Sequence, residues 1–266
     1  MAAPTVQRSA ANPIRKKGKE LPFPLNLYQT AVGKKWVMAV TGLIILGFVL
    51  FHMLGNLKLY LGAVEHNGEA VWDIDLYGEF LRELLVPLFP RTYLLWLLRF
   101  GLIGAFGLHI HSAYTLTRMN QTSGSRYQSK QDWLAANFAS RTMRVTGIIV
   151  ALYLVFHLAD LTWGWSFISP EWERGEVYNN LGHSLSRWWV GLIYIVANIA
   201  LSVHIFHGAW SMFQSLGLNN PRWNSARRLV AGGLAGAILI GNLSFPIAIM
   251  SGMIEPGDPE ASISEG

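Results

Sequence analysis

The chain has 266 residues, of which 52% are hydrophobic and only 14% are charged, and it contains no cysteine. This composition is too apolar for an ordinary soluble domain and indicates a polytopic membrane protein. The lack of cysteine excludes disulfides, cysteine nucleophiles and clusters held by this chain's own thiolates, so histidine is the one strong soft-metal or haem ligand left. The net charge of +5 comes from basic residues in short loops rather than from one continuous face, so it does not predict nucleic-acid binding.

Residues 1–35 form a polar, basic and proline-interrupted segment, for which we expect a cytoplasmic arm. Five apolar runs follow, each long enough to cross a bilayer core of about 30 Å as a helix. They predict an all-α, five-helix transmembrane domain over residues 36–254. The predicted spans are approximately Trp36–Leu57, Tyr93–Leu116, Val145–Phe167, Trp188–Phe213 and Leu229–Ile254.

Residues of about 73–88, between the first two spans, place charged and apolar side chains at helical spacing. This pattern predicts an amphipathic helix lying in the outer interface of the membrane.

The loops carry opposite charges in alternation, which gives a topology. Basic residues lie before the first span, between the second and third and between the fourth and fifth. Acidic residues fill the other loops and the tail at 255–266. By the positive-inside rule, the N-terminus is cytoplasmic, the C-terminus is outside, and the protein is a multi-pass protein of the cytoplasmic membrane.

Histidines occur inside the first four spans, and counting about 1.5 Å per residue from the span ends gives each one a depth. His52 and His157 fall in the outer half, whereas His111 and His204 fall in the inner half. Each pair comes from two different helices, as the two axial imidazole ligands of an iron porphyrin require. The depths therefore predict two stacked haem levels that carry electrons across the membrane.

Two further histidines lie beside these candidates. His109 is two residues, or about 200°, from His111, so both cannot face one cofactor, whereas His207 shares a helix face with His204. Each is a surplus candidate for ligation, for contact with a propionate or a quinone, or for a simple hydrogen bond. Intramembrane histidines also serve as packing residues and as proton relays, so a histidine-relay channel or transporter is the alternative function.

Four motifs resemble the single-chain, five-helix, di-haem cytochrome b subunit of succinate:quinone oxidoreductases, a type also found in fumarate reductases. The resemblance extends from about Tyr28 to the end of the fifth span. The motifs are His52-Met-Leu-Gly-Asn56, His111-Ser-Ala-Tyr114, Arg144-Val-Thr-Gly-Ile-Ile149 followed by His157, and His204-Ile-Phe-His-Gly-Ala-Trp-Ser211.

The resemblance implies a membrane anchor and electron-transfer subunit of a succinate dehydrogenase-type complex. Such an anchor performs no dicarboxylate chemistry itself. It binds a flavoprotein subunit and an iron–sulfur subunit on the cytoplasmic face, holds two haems b, and exchanges electrons with a quinone, commonly menaquinone. The direction of catalysis and the oligomeric state stay open.

The resemblance also implies roles for individual residues. His111 and His204 would ligate the inner haem, and His52 and His157 the outer one. The other implied roles are contact with a haem propionate for Arg144 and proton exchange with the quinone for Glu79 and Glu83. Because His109 and His207 add histidines at the inner level, a different inner cofactor also stays open, such as an iron–sulfur cluster completed by cysteines of a partner chain.

Overall fold

A computed structural model shows the chain as a bundle of five long helices with a small folded cap at one end. The structure describes residues 22–23, 25–122, 130–218 and 220–264, and for residues 122 and 130–140 it describes only the backbone. Most of the predicted basic arm over residues 1–35 lies outside the described residues.

The described part of the chain contains eight α-helices and two strands. Five of the helices are long and apolar enough to cross a membrane, which confirms the predicted all-α polytopic fold. A helix satisfies its own backbone hydrogen bonds, so long apolar runs form helices in lipid. The elements are α1 Ala31–Asn56, β1 Ala63–His66, β2 Glu69–Trp72, α2 Asp73–Glu83, α3 Tyr93–Thr122, α4 Lys130–His157, α5 Val177–Leu185, α6 Trp188–Ser215, α7 Asn224–Met250 and α8 Pro259–Ser264.

The long helices pack in a defined order. Helix α1 lies against α3 and also contacts α6, while α4 packs against α6. Helix α7 covers α6 and touches α1. The pairs α1 with α3 and α4 with α6 therefore form two similar units, and α7 is the additional helix.

The third span ends differently from the prediction of a span reaching Phe167. The α-helical part of the span ends at His157, and the chain continues as a π-helical turn over Leu158–Thr162. Wide turns of this kind are rare and occur frequently at functional sites. This turn buries Asp160 completely, three residues after the last histidine of the span.

The cap consists of β1, β2, α2, α5 and α8. Its antiparallel hairpin turns at Asn67 and Gly68, which both have positive φ angles of 55° and 86°. Asn-Gly is the strongest short-range sequence signal for a hairpin, because both residues tolerate this backbone conformation. The hairpin is not among the predicted elements, although this signal is present in the sequence.

Two contacts join the cap across the chain. The rings of Trp72 and Tyr178 stack with centroids 3.6 Å apart. The Asp75 carboxylate accepts the backbone N–H groups of Val177 and Tyr178 at 2.6 and 3.0 Å, which satisfies the first turn of α5. Helix α2, which covers Asp73–Glu83 of the predicted amphipathic segment, is thus tied to α5.

Candidate functional site

Four histidines of four different helices form two pairs. The ring centres of His52 on α1 and His157 on α4 are 5.9 Å apart. Those of His109 on α3 and His204 on α6 are 6.4 Å apart. Two imidazoles that bind one metal ion from opposite sides, with bonds of about 2 Å, have ring centres roughly 6 Å apart. Both pairs therefore have the spacing of two axial ligands.

The pairs lie at different levels of the bundle. We call His52 and His157 the cap-side pair, because both lie at the ends of their helices next to the cap. The other pair lies beside Thr41, which is on the same helix as His52. At 1.5 Å per residue, the two levels are about 16 Å apart along α1.

The pair formed by His109 and His204 is held in the same way on both sides, and we call it the Thr-Gly pair. His109 Nδ1 lies 3.3 Å from Thr41 Oγ1 of α1, and His204 Nδ1 lies 3.3 Å from Thr146 Oγ1 of α4. Each threonine donates its one hydroxyl proton to a carbonyl of its own helix. Each hydroxyl oxygen therefore accepts from the histidine Nδ1–H, which leaves Nε2 unprotonated as the ligating nitrogen.

A glycine follows each of these threonines and brings the ring close to the helix backbone. A Cβ atom on Gly42 would lie 3.2 Å from His109 Cε1, and one on Gly147 would lie 3.3 Å from His204 Cε1. These separations are tighter than ordinary van der Waals contacts. The glycines thus admit the imidazole rings to the surfaces of α1 and α4.

The two halves of the bundle repeat one sequence pattern. Val40-Thr41-Gly42 precedes His52 in α1 at the same spacing at which Val145-Thr146-Gly147 precedes His157 in α4. This repeat is not part of the predicted site. It is the signal that could have identified both threonine–glycine steps as part of the site.

The cap-side pair has a different environment. His157 Nδ1 lies 3.2 Å from Tyr194 Oη, and Tyr194 donates to Asp160 at 2.8 Å. His52 stacks on Phe48 with ring centroids 5.3 Å apart. Asp160 is not among the predicted site residues, because its burial beside His157 depends on the π-helical turn, which residue spacing does not reveal.

The structure places His109, not His111, next to His204, while the predicted ligand role of His111 stays a prediction. His111 lies exposed on α3, and its Nδ1 is 2.5 Å from the hydroxyl of Tyr28. The face of α3 that carries His109 and the buried Ser112 turns inward instead. Depth counting could not separate His109 from His111, because the two residues differ by only about 3 Å in depth. They differ by about 200° in direction around the helix, which depth does not report.

The remaining predicted residues lie apart from both pairs. His207 borders an apolar groove between α6 and α7 that includes Gly232 and Gly236. Arg144 is exposed on α4. Glu79 accepts hydrogen bonds from Arg82 and Arg91, and Glu83 lies 3.6 Å from the Arg91 guanidinium. Their predicted roles with propionate and quinone stay predictions.

The donor set fits a metalloporphyrin. Each pair supplies two neutral imidazoles, and in the described part of the chain no group of three or more histidine or acidic side chains could hold a metal ion by itself. A porphyrin supplies four nitrogen ligands to its iron and takes two imidazoles in addition. His52 and His157 would hold one such group, and His109 and His204 the other.

The fold and the site together define a class: a multi-pass helical membrane protein with two levels of paired histidines inside its bundle. The model of the family described as "Succinate dehydrogenase/Fumarate reductase transmembrane subunit" matches residues 117–241. This match runs from the end of α3 into α7 and includes His157, Asp160 and His204. The chain is similar to that family over this range.

No curated protein and no solved structure matches the chain.

Proposed function

We propose that this chain is the haem-binding membrane anchor of a succinate dehydrogenase-type complex. The observation that carries the proposal is the presence of two cross-helix histidine pairs, with ring centres 5.9 and 6.4 Å apart, at two levels of one bundle. The family match over residues 117–241 supports the same reading of the complex.

The histidine assignment differs from the predicted one at a single position. His52 and His157 hold one haem b, while His109 and His204 hold the other. Haem b, when bound, supplies a one-electron carrier at each level. The protein contributes the ligating nitrogens, fixes the tautomers of His109, His157 and His204 through hydroxyl groups, and excludes water by helix packing.

Electrons pass between an iron–sulfur subunit on the cytoplasmic face and a membrane quinone. In this arrangement the side of the bundle opposite the cap, where α1 begins, faces the cytoplasm. The chain supplies the path through the membrane, and the dicarboxylate chemistry belongs to the partner subunits.

The test compares two neighbouring histidines in the isolated complex by a pyridine haemochrome assay. His109→Ala removes a proposed ligand, so we expect one haem b per anchor in place of two. His111→Ala is the matched control and should retain two, because its ring contacts Tyr28 on the outside of α3.

If His111→Ala loses one haem and His109→Ala keeps both, His111 and not His109 is the ligand. A wild-type complex with fewer than two haems b contradicts the di-haem proposal. If a rhombic iron–sulfur signal replaces one haem in the electron paramagnetic resonance spectrum, the cluster with partner cysteines takes its place.

A further inference from the structure

Asp160 is a charged residue in the interior of the protein that the proposed ligand set does not use. Its side chain is fully buried in the π-helical turn after α4. Burying a carboxylate is costly unless charged and hydrogen-bonding partners surround it. The Arg187 guanidinium lies 3.2 Å from Oδ1, and Ser184 donates to Oδ2 at 2.5 Å. The site therefore surrounds the buried Asp160 carboxylate with a guanidinium and hydroxyl donors.

Tyr194 connects this carboxylate to the cap-side pair. A tyrosine has one hydroxyl proton, and Tyr194 donates it to Asp160 Oδ2 at 2.8 Å. The Tyr194 oxygen can then only accept from His157 Nδ1 at 3.2 Å. His157 consequently carries its proton on Nδ1, and its Nε2 is free to act as a ligand.

We propose that Asp160 is a positioning residue for His157 and acts through Tyr194. The carboxylate fixes the direction of the tyrosine hydroxyl, and the hydroxyl fixes the tautomer and the orientation of the imidazole. That this contact changes the midpoint potential of a metal centre rests on the proposed function, whereas the tautomer of His157 follows from the hydrogen bonds alone.

The arrangement has an electronic consequence. A histidine that donates its second N–H toward a carboxylate becomes a more basic ligand. A more basic ligand stabilises the more positive, oxidised form of the iron, and so lowers the midpoint potential. Removing the tyrosine hydroxyl should therefore raise the potential of the cap-side centre.

The chain offers a matched control on the same ring. Tyr153 packs against His157 with ring centroids 5.6 Å apart, but its hydroxyl bonds to Asn198 instead. Tyr194→Phe and Tyr153→Phe each remove one hydroxyl beside His157. Only Tyr194→Phe interrupts the path to Asp160, and Asp160 keeps Arg187 and Ser184 as partners in that variant.

The experiment is a spectroscopic redox titration of the isolated complex, with the haem content measured in parallel. For Tyr194→Phe we expect two haems and an upward shift of one centre by about 59 mV, the value for a tenfold change in the ratio of oxidised to reduced centre. For Tyr153→Phe we expect two haems and unchanged potentials. Unchanged potentials in both variants, or equal shifts in both, would overturn the positioning role.

A second measurement separates this inference from the proposed function. In the reduced, ¹⁵N-histidine-labelled complex, the His157 signals are identified as those lost in His157→Ala. A protonated Nδ1 that changes in Tyr194→Phe supports the relay, and an unprotonated Nδ1 refutes it. If His157→Ala retains both haems, the proposed function fails while the tautomer measurement still decides the role of Tyr194.

Discussion

The two histidine pairs have similar ring separations but different surroundings. In the Thr-Gly pair, each histidine bonds to a neutral hydroxyl of the neighbouring helix, at 3.3 Å on both sides. In the cap-side pair, His157 reaches a buried ion pair through Tyr194, whereas His52 stacks on Phe48. One level is symmetric and local, and the other is asymmetric and depends on residues beyond the spans.

The difference shows that equal spacing does not mean equal chemistry. The Thr-Gly pair requires only short motifs within α1 and α4. The cap-side pair requires the π-helical turn and the beginning of α6 to meet at Asp160, and α5 of the cap contacts the same turn. Substitutions should therefore affect the two levels separately.

The largest effect is expected for Asp160→Ala. This change leaves the Arg187 guanidinium next to an empty site and removes the acceptor of Ser184 and Tyr194. Breaking a buried charged pair costs about 3–5 kcal/mol, and we expect the lower end because Arg187 is partly exposed. Thermal unfolding of the isolated complex measures the loss. Glu173→Ala, which removes an exposed carboxylate, should change stability by less than about 0.5 kcal/mol, and equal stability of both variants would contradict the structural role.

The second effect concerns the other level. Gly147→Val places a branched side chain where a Cβ atom alone would be 3.3 Å from His204 Cε1. Overpacking of this kind costs about 1–3 kcal/mol and should displace the ring from the Thr-Gly pair. We expect one haem to be lost and the other kept. Gly233→Val on α7, where a Cβ atom meets nothing within 4 Å, should keep both. Loss of both haems in Gly147→Val would show that the levels are coupled.

A smaller effect is expected for Thr146→Val, which keeps the shape of the side chain and removes the hydroxyl. The His204 Nδ1–H loses its acceptor, at a cost of about 1 kcal/mol. The visible spectrum and midpoint potential of one centre should shift while the cap-side centre is unaffected. Thr146→Ser restores the hydroxyl and should restore the spectrum, and a persistent shift in Thr146→Ser would attribute the effect to packing.

The smallest effect should be a pH dependence of the cap. Burial raises the pKa of Asp75 above its usual value, despite the N–H bonds from Val177 and Tyr178 that lower it. The folded state therefore binds the Asp75 proton more tightly than the unfolded state does. The stabilisation is complete below the unfolded pKa of about 3.8 and is lost as the pH rises through the folded value.

The thermal stability of the wild-type complex relative to Asp75→Asn should consequently fall as the pH rises through this range. The asparagine has no carboxyl group to titrate. A difference that is constant with pH would show that Asp75 has the same affinity for protons in both states.

Much of the architecture followed from the order of residues alone. Five apolar runs determined five long helices, because a backbone in lipid must satisfy its own hydrogen bonds. Counting along these helices also placed His52 and His157 at one depth, since rise per residue is a local property of a helix.

Which of His109 and His111 faces His204 could not be predicted from the sequence. Both lie at nearly the same depth, and the direction of each ring depends on which face of α3 packs against α1. That face is set by contacts between distant parts of the chain, such as Thr41 with His109 and Tyr28 with His111.

By itself the sequence therefore determined the number of helices, the depth of the histidines and the absence of thiolate ligands, which are properties of composition and of a single helix. Tertiary structure alone decided which histidine faces His204 and how Asp160 reaches His157. Both outcomes depend on the rotation of one helix against another and on a wide turn at the end of α4, and residue spacing encodes neither of them.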